Sequence, residues 1–159
     1  MASRAIQLLA ATAMPERCVD ALERAGRAED AWYILARRGH RAWQRDPAHL
    51  WTWAFFDESR DKARLALKAG AAEKAWFAAR HAGLLLLWKG EPDASPLRHD
   101  VDAIAESAER SIPAPRLEEL VRELESHAEF YDPGRRADRI AKHAVPPKLG
   151  PPDLWERWP

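Results

Sequence analysis

The chain has 159 residues and a mass of 18.1 kDa, which suits one domain with, at most, an extension. Apolar residues make up 47% of it, so it can bury a substantial core and is not a disordered chain. Its 25 Lys and Arg residues balance 25 Asp and Glu residues, so no net charge draws the whole molecule towards nucleic acid or a membrane. The single Cys18 excludes an internal disulfide and a cysteine-rich zinc site.

No segment of the sequence predicts contact with a membrane. The longest unbroken apolar run, residues 82–88, is far shorter than the roughly 20 residues that span a bilayer. No positively charged segment followed by an apolar stretch opens the chain, so we find no secretory signal. We therefore expect a cytoplasmic protein, and we expect it to need neither a metal nor a cofactor.

Alanine and leucine dominate the composition. Alanine occurs 31 times and leucine 17 times, whereas valine, isoleucine and threonine together occur only 11 times. Because alanine and leucine favour helices and β-branched residues favour strands, we expect an all-α fold. The chain also lacks asparagine and is 31% charged, as in a heat-adapted (thermophile) protein, although a GC-rich genome would also enrich alanine and arginine.

Apolar spacing and helix-breaking residues divide the chain into predicted helices. In chain order these cover 3–13, 15–25, 28–45, 48–69, 72–89, 99–110, 116–131 and 135–145. The apolar surface of the helix at 72–89 widens from Leu84 to Trp88, so we expect it in the middle of an antiparallel bundle. The helices at 48–69 and 72–89 together expose more apolar surface than one small bundle can cover, so we expect a two-fold dimer through them. From Pro146 the chain should be extended, with Trp155 docked on the bundle or on a second subunit.

One ten-residue segment is repeated in similar form 44 residues later. Residues 24–33 and 68–77 are identical at six of ten positions, including a glycine and a tryptophan in each. Both segments are predicted to form a helix–glycine–helix corner. The similarity favours either a duplicated helical hairpin or two Ala-rich corners that are alike only in composition.

Four segments together resemble a known family. Residues 63–77 read as a helix, a glycine corner and the start of a second helix, and Ala-Ala-Arg-His-Ala follows at 78–82. Leu-Arg-His-Asp-Val at 97–101 is similar to a His-Asp start of a third helix. Tyr-Asp-Pro-Gly-Arg-Arg-Ala-Asp at 131–138 is similar to a Tyr–Arg element after a fourth helix. In this order, over about residues 51–144, they resemble the HEPN domains (higher eukaryote and prokaryote nucleotide-binding).

The resemblance implies a helical N-terminal extension over 1–46, a helical bundle of HEPN type over 47–145 and a Pro/Trp-rich tail over 146–159. It also implies a homodimer, often paired with a small nucleotidyltransferase-like protein. Such a protein binds nucleotide or RNA, or acts as a metal-independent ribonuclease of the toxin–antitoxin kind. The chain departs from the family at 83–87, where a Glu-Lys pair is absent, and at 136–137, where Arg-Ala replaces an aromatic-proline pair.

The ribonucleases of this family carry an arginine followed, after four to six residues, by a histidine. Arginine can stabilise phosphate charge, and histidine can move a proton during attack by the ribose hydroxyl. Arg136 with His143 and, as a second choice, Arg122 with His127 satisfy the spacing, although about two such pairs are expected by chance. On a helix, Arg136 and His143 point about 20° apart, whereas Arg122 and His127 point about 140° apart.

A basic helix closes the folded part of the sequence. The residues predicted to contact RNA or nucleotide are Arg135, Arg136, Arg139 and Lys142, opposed only by Asp138. The preceding residues 91–130 carry eleven acidic and four basic side chains, so the basic helix is the expected anion-binding surface. The competing interpretation is an ion pair, Arg135 with Asp138 or Arg136 with Asp132, that only closes the turn.

A second function from a different class stays open at this point. The acidic segment 91–130 and the tryptophans of the tail could instead meet a protein partner, as in a non-catalytic helical interaction module. RNA binding at low salt separates the two functions.

Overall fold

A computed structural model describes the backbone of residues 15–45 and 52–142 and the side chains of residues 17–36 and 52–142. These ranges contain no strand, which confirms the all-α prediction. The helices are α1 (Pro15–Arg24), α2 (Ala28–Arg45), α3 (Trp53–Lys68), α4 (Ala72–Lys89), α5 (Pro96–Glu109), α6 (Ala114–Phe130) and α7 (Arg136–Ala141), with a 3-10 turn at Pro133–Arg135 before α7. The predicted helix at 3–13 and the predicted tail lie outside the described residues.

Local capping explains where the helix bounds differ from those predicted. The α3 helix begins at Trp53, not at residue 48, because the Thr52 side chain accepts a hydrogen bond from the amide of Phe55. The α5 helix begins three residues earlier than predicted, because Ser95 caps it and Pro96 suits its first turn. The α7 helix begins at Arg136, because the preceding residues form the 3-10 turn that Asp132 caps.

The α4 helix lies in the middle of the bundle, as predicted. It packs against α3, α5 and α6, and it carries buried side chains on most of its circumference. The apolar segment 84–88 is largely covered within the chain, since Leu85, Leu86 and Trp88 are buried while Leu87 is 47% exposed. Most of the apolar surface that suggested a dimer interface therefore belongs to the core of a single chain.

The two similar segments form two corners of the same geometry. Gly26 and Gly70 have φ angles of 73° and 77°, a left-handed conformation that favours glycine at a helix end. In both corners the amide after the glycine bonds back to a carbonyl five residues earlier, at 2.8 Å in the first and 2.9 Å in the second. The tryptophan that follows each corner, Trp32 or Trp76, is buried. This confirms the predicted helix–glycine–helix corners.

The described part of the N-terminal segment shares its core with the rest of the bundle. Trp32 and Ile34 belong to the same buried cluster as Leu65 and Phe77. At the surface, the Glu23 carboxylate accepts hydrogen bonds from Arg64 and Lys68 of α3. These two cations lower the pKa of Glu23 to about 2. Packing and charge thus join α1 and α2 to α3 and α4.

Candidate nucleic-acid interface

The predicted basic surface begins at the end of α6 and runs through the 3-10 turn into α7. Two of its four cations are engaged by carboxylates. Arg135 lies 3.8 Å from a carboxylate oxygen of Glu129 and 3.9 Å from one of Asp132. Lys142 lies 2.8 Å from Asp138, one helical turn before it. Both pairs are exposed, so they are weak, but each reduces the positive charge offered to a ligand.

Arg139 holds α7 against the end of α6. Its guanidinium lies 4.4 Å from the centre of the Phe130 ring, and it donates a hydrogen bond of 3.4 Å to the carbonyl of Glu129. The side chain is half-buried, and its planar cation covers an aromatic ring, as in a cation–π contact. This residue positions the helix more than it serves a ligand.

Arg136 differs from the other three cations. It is exposed, and it takes part in none of the ion pairs found in residues 17–36 and 52–142. The 3-10 turn before it packs against α4, and the ring of Trp88, next to Lys89 at the end of α4, lies 5.9 Å from the ring of Tyr131 just before that turn. Burial, and after it the positive charge of Arg136, lowers the pKa of Lys89. Two cations therefore face the same region of the surface.

An exposed tryptophan completes this region. The ammonium nitrogen of Lys89 lies 4.8 Å from the centre of the Trp53 ring, and the Trp53 side chain is 48% exposed. The start of α3 thus meets the end of α4, and the 3-10 turn that leads into α7 packs against α4. We call Trp53, Lys89 and Arg136 the end-face cluster. Cations beside an exposed aromatic ring are the groups that single-stranded nucleic acid requires.

Sequence reasoning identified only one member of the end-face cluster. Arg136 was predicted from the density of basic residues around it, whereas Trp53 and Lys89 were not singled out. Neither residue carries a local signal, because tryptophan and lysine are ordinary at the two ends of amphipathic helices. The two ion pairs proposed to close the turn, Arg135–Asp138 and Arg136–Asp132, are not formed within the described part of the chain; Arg135 instead contacts Asp132 and Glu129.

Of the two predicted arginine–histidine pairs, the structure describes both members of one and only the arginine of the other. His143, the partner of Arg136, lies outside the described residues. His127 has 0% exposure, with its ring edge-on to Phe77 and to His81. Arg122 is exposed and donates a hydrogen bond of 3.4 Å to the carbonyl of Glu118. Arg122 and His127 therefore do not meet at one surface, because the 140° between them directs one side chain to solvent and the other to the core.

A buried polar cluster lies beneath the basic helix. The Nε2 of His81 and the hydroxyl of Tyr131 share a hydrogen bond of 3.2 Å, and the His81 ring meets those of His127 and Phe55 edge-on. Burial, with the charges of His127 and Lys62, holds the pKa of His81 well below its usual value, so this imidazole is neutral. Burial also raises the pKa of Tyr131. The cluster is closed to solvent and fixes the end of α6, from which α7 starts.

Three further findings concern metal binding, membrane-spanning helices and the comparison with known proteins. No group of three or more His, Cys, Asp or Glu side chains within residues 17–36 and 52–142 is placed to hold a metal ion. No helix in the described ranges has the length and apolar character needed to cross a membrane. No protein-family model, curated protein or solved structure matches this chain.

Proposed function

We propose that the protein binds RNA, with a nucleotide as the smallest unit bound, through the end-face cluster and the adjoining basic helix. The observation that supports this most is Arg136, an exposed guanidinium outside the ion pairs of the described residues. It follows a turn that packs against α4, the helix whose last residue, Lys89, lies against an exposed indole. Phosphate binding depends on cations that can be neutralised by the ligand, and bases stack on exposed aromatic rings. The resemblance to HEPN domains points to the same ligand class.

The charge distribution sets the expected strength of binding. The chain has no net charge, and residues 91–130 are strongly acidic, so only a local surface attracts a polyanion. A binding site with two or three cations contacts few phosphates, and its affinity falls as salt rises. We therefore expect weak, salt-sensitive binding.

Replacing Arg136 by Ala should weaken RNA binding and flatten its salt dependence. Each lost contact to single-stranded RNA lowers the slope of log K against log salt by about 0.7. Arg122→Ala is the matched control, because Arg122 is also an exposed arginine but lies on α6, outside the proposed surface. Fluorescence anisotropy of a labelled RNA across a salt series measures both quantities. Equal losses in the two variants, or no binding by the unaltered protein at about 50 mM salt, would contradict the proposal.

Cleavage of bound RNA is a separate part of the proposal. Arg136 and His143 are the predicted catalytic pair for a metal-independent ribonuclease, with arginine stabilising phosphate charge and histidine transferring the proton. His143→Ala should then abolish cleavage in the presence of a chelator while leaving RNA affinity unchanged. Arg122 and His127 take no part in this proposal, since His127 is buried.

The partners implied by the resemblance belong to the same proposal. A homodimer would use the exposed part of α4, where Leu87 is 47% exposed, and a small nucleotidyltransferase-like protein is the proposed second partner. Sedimentation velocity at tens of micromolar tests the dimer, and a sedimentation coefficient typical of an 18.1 kDa monomer would argue against it.

A second candidate function is the non-catalytic interaction module. It is favoured by an open groove of about 550 Å³ on the outer face of α6, lined by Ala114, Leu117, Glu118, Val121 and Arg122. Val121 is among the exposed large apolar side chains, and such a groove on an acidic helix suits a basic amphipathic segment. A protein that binds no RNA at low salt would favour this second function.

A further inference from the structure

The Trp53 side chain is an exposed aromatic surface that packs against the core on one side. Thr52 caps the start of α3 immediately before it. The Trp53 ring meets the buried Phe56 ring edge-on, with centroids 5.7 Å apart and an interplanar angle of 89°. The indole thus contacts the core through Phe56, while about half of the side chain stays in contact with solvent.

The core does not require a tryptophan at this position. Phe55, Phe56 and Trp88 fill the interior below it and are buried. Exposing about half of an indole forfeits a large part of the stabilisation that burial of a side chain of this size provides. A rigid, exposed indole next to two cations is suited to stacking with a planar ligand, because the ring loses little conformational freedom on binding.

The two cations define what else the ligand must carry. The Lys89 ammonium lies 4.8 Å from the centre of the indole ring, and Arg136 directly follows the 3-10 turn that packs against the helix ending at Lys89. A phosphate bound near these two side chains would be attracted by both positive charges. The surface therefore combines a site for a planar ring with an adjacent site for a phosphate.

We infer that the end-face cluster binds one nucleotide unit of single-stranded RNA, with its base stacked on Trp53 and its phosphate between Lys89 and Arg136. This inference rests on the proposed function and specifies its substrate class. Bases of a duplex are stacked inside the helix and cannot reach an indole, so the cluster should select single strands over duplexes. Because every base has a stacking face, it should discriminate little between base sequences.

The test compares Trp53→Ala with Trp53→Phe on three probes. These are a single-stranded uridine 12-mer, a 12-base-pair RNA duplex and an abasic 12-mer with the same backbone charge. Loss of one stacked base costs about 1–3 kcal/mol, so Trp53→Ala should weaken binding of the uridine 12-mer about 5- to 150-fold. Trp53→Phe should restore most of that affinity, and the abasic 12-mer should bind equally to all three proteins. Val121→Ala, which removes an exposed apolar side chain of α6 away from the end-face cluster, is the matched control.

The outcomes separate this inference from the proposed function. If the unaltered protein binds none of the probes, the proposed function fails. If it binds the uridine 12-mer but Trp53→Ala binds equally well, or if the duplex binds as tightly as the single strand, the proposed function stands and base stacking on Trp53 is wrong. An equal loss for the abasic 12-mer would also overturn the inference, because Trp53 would then act without a base. Thermal unfolding of each variant verifies that all are folded.

Discussion

Replacement of Trp32 by Ala should destabilise the whole protein by about 3–5 kcal/mol, the usual cost of removing a buried aromatic side chain. Trp32 lies on α2 and is only 2% exposed. It shares a cluster with residues of α3, α4 and α5, and the buried ammonium of Lys74 lies 4.7 Å from its ring centre. A domain of this size is stable by about 5–15 kcal/mol, so the variant should lose a large part of its stability. Urea unfolding followed by circular dichroism measures the loss.

The same experiment tests the predicted division of the chain at residue 46. If residues 17–36 belong to one cooperative unit with the bundle, Trp32→Ala should shift a single unfolding transition to lower urea. An N-terminal extension that folds separately would instead give two transitions, the second at the position of the unaltered protein. Trp53→Ala is the control, because Trp53 is 48% exposed and its removal should cost clearly less than removal of the buried Trp32.

Acidification below about pH 6.5 should destabilise the protein through His81. The folded state holds the pKa of His81 well below its usual value, whereas the unfolded chain has the ordinary value near 6.5. Below that pH the unfolded state binds a proton that the folded state does not. The contribution of His81 to the free energy of unfolding is therefore fully present above pH 6.5 and is lost as the pH falls. One such histidine lowers the free energy of unfolding by up to about 1.4 kcal/mol per pH unit.

Glu23 should cause a second decline in the free energy of unfolding at lower pH. Its pKa is lowered from 4.5 to about 2 by Arg64 and Lys68, so its contribution is present above pH 4.5 and is lost as the pH falls towards 2. Between pH 6.5 and 5 the change should therefore come from the buried imidazole and not from this carboxylate. The two pH ranges allow the two effects to be measured separately.

The variant that isolates the imidazole is His81→Gln, which keeps a polar group near the Tyr131 hydroxyl and removes the titration. We expect it to be less stable at pH 7 and to lose less stability than the unaltered protein between pH 6.5 and 5. His99→Gln is the matched control, because His99 is exposed at the start of α5. Chemical denaturation at several pH values provides the comparison. A His81→Gln profile parallel to that of the unaltered protein would show that another group is responsible.

Much of the local structure could be predicted because its causes are local. The excess of alanine and leucine over β-branched residues predicts helices without strands. Gly26 and Gly70 predict the two corners, because the left-handed conformation found there favours glycine. The predicted bounds were wrong where a cap competed with apolar spacing, as at Thr52 and Ser95. A capping residue acts within one helical turn. The apolar pattern around it, however, does not show at which of several candidate capping residues the helix begins.

The sequence by itself therefore determined the helical class, the corners and the central position of α4, all of which follow from residue propensities and apolar spacing. Only the tertiary structure decided which charged residues meet. Trp53 and Lys89 lie far apart in the chain and come together because α3 packs against α4, and the turn that leads into Arg136 packs against the same α4 helix. Packing likewise placed His127 in the core and covered most of the apolar segment 84–88. Spacing along one helix sets the direction of a side chain relative to its neighbours, whereas its exposure and its partners depend on the helices packed against it.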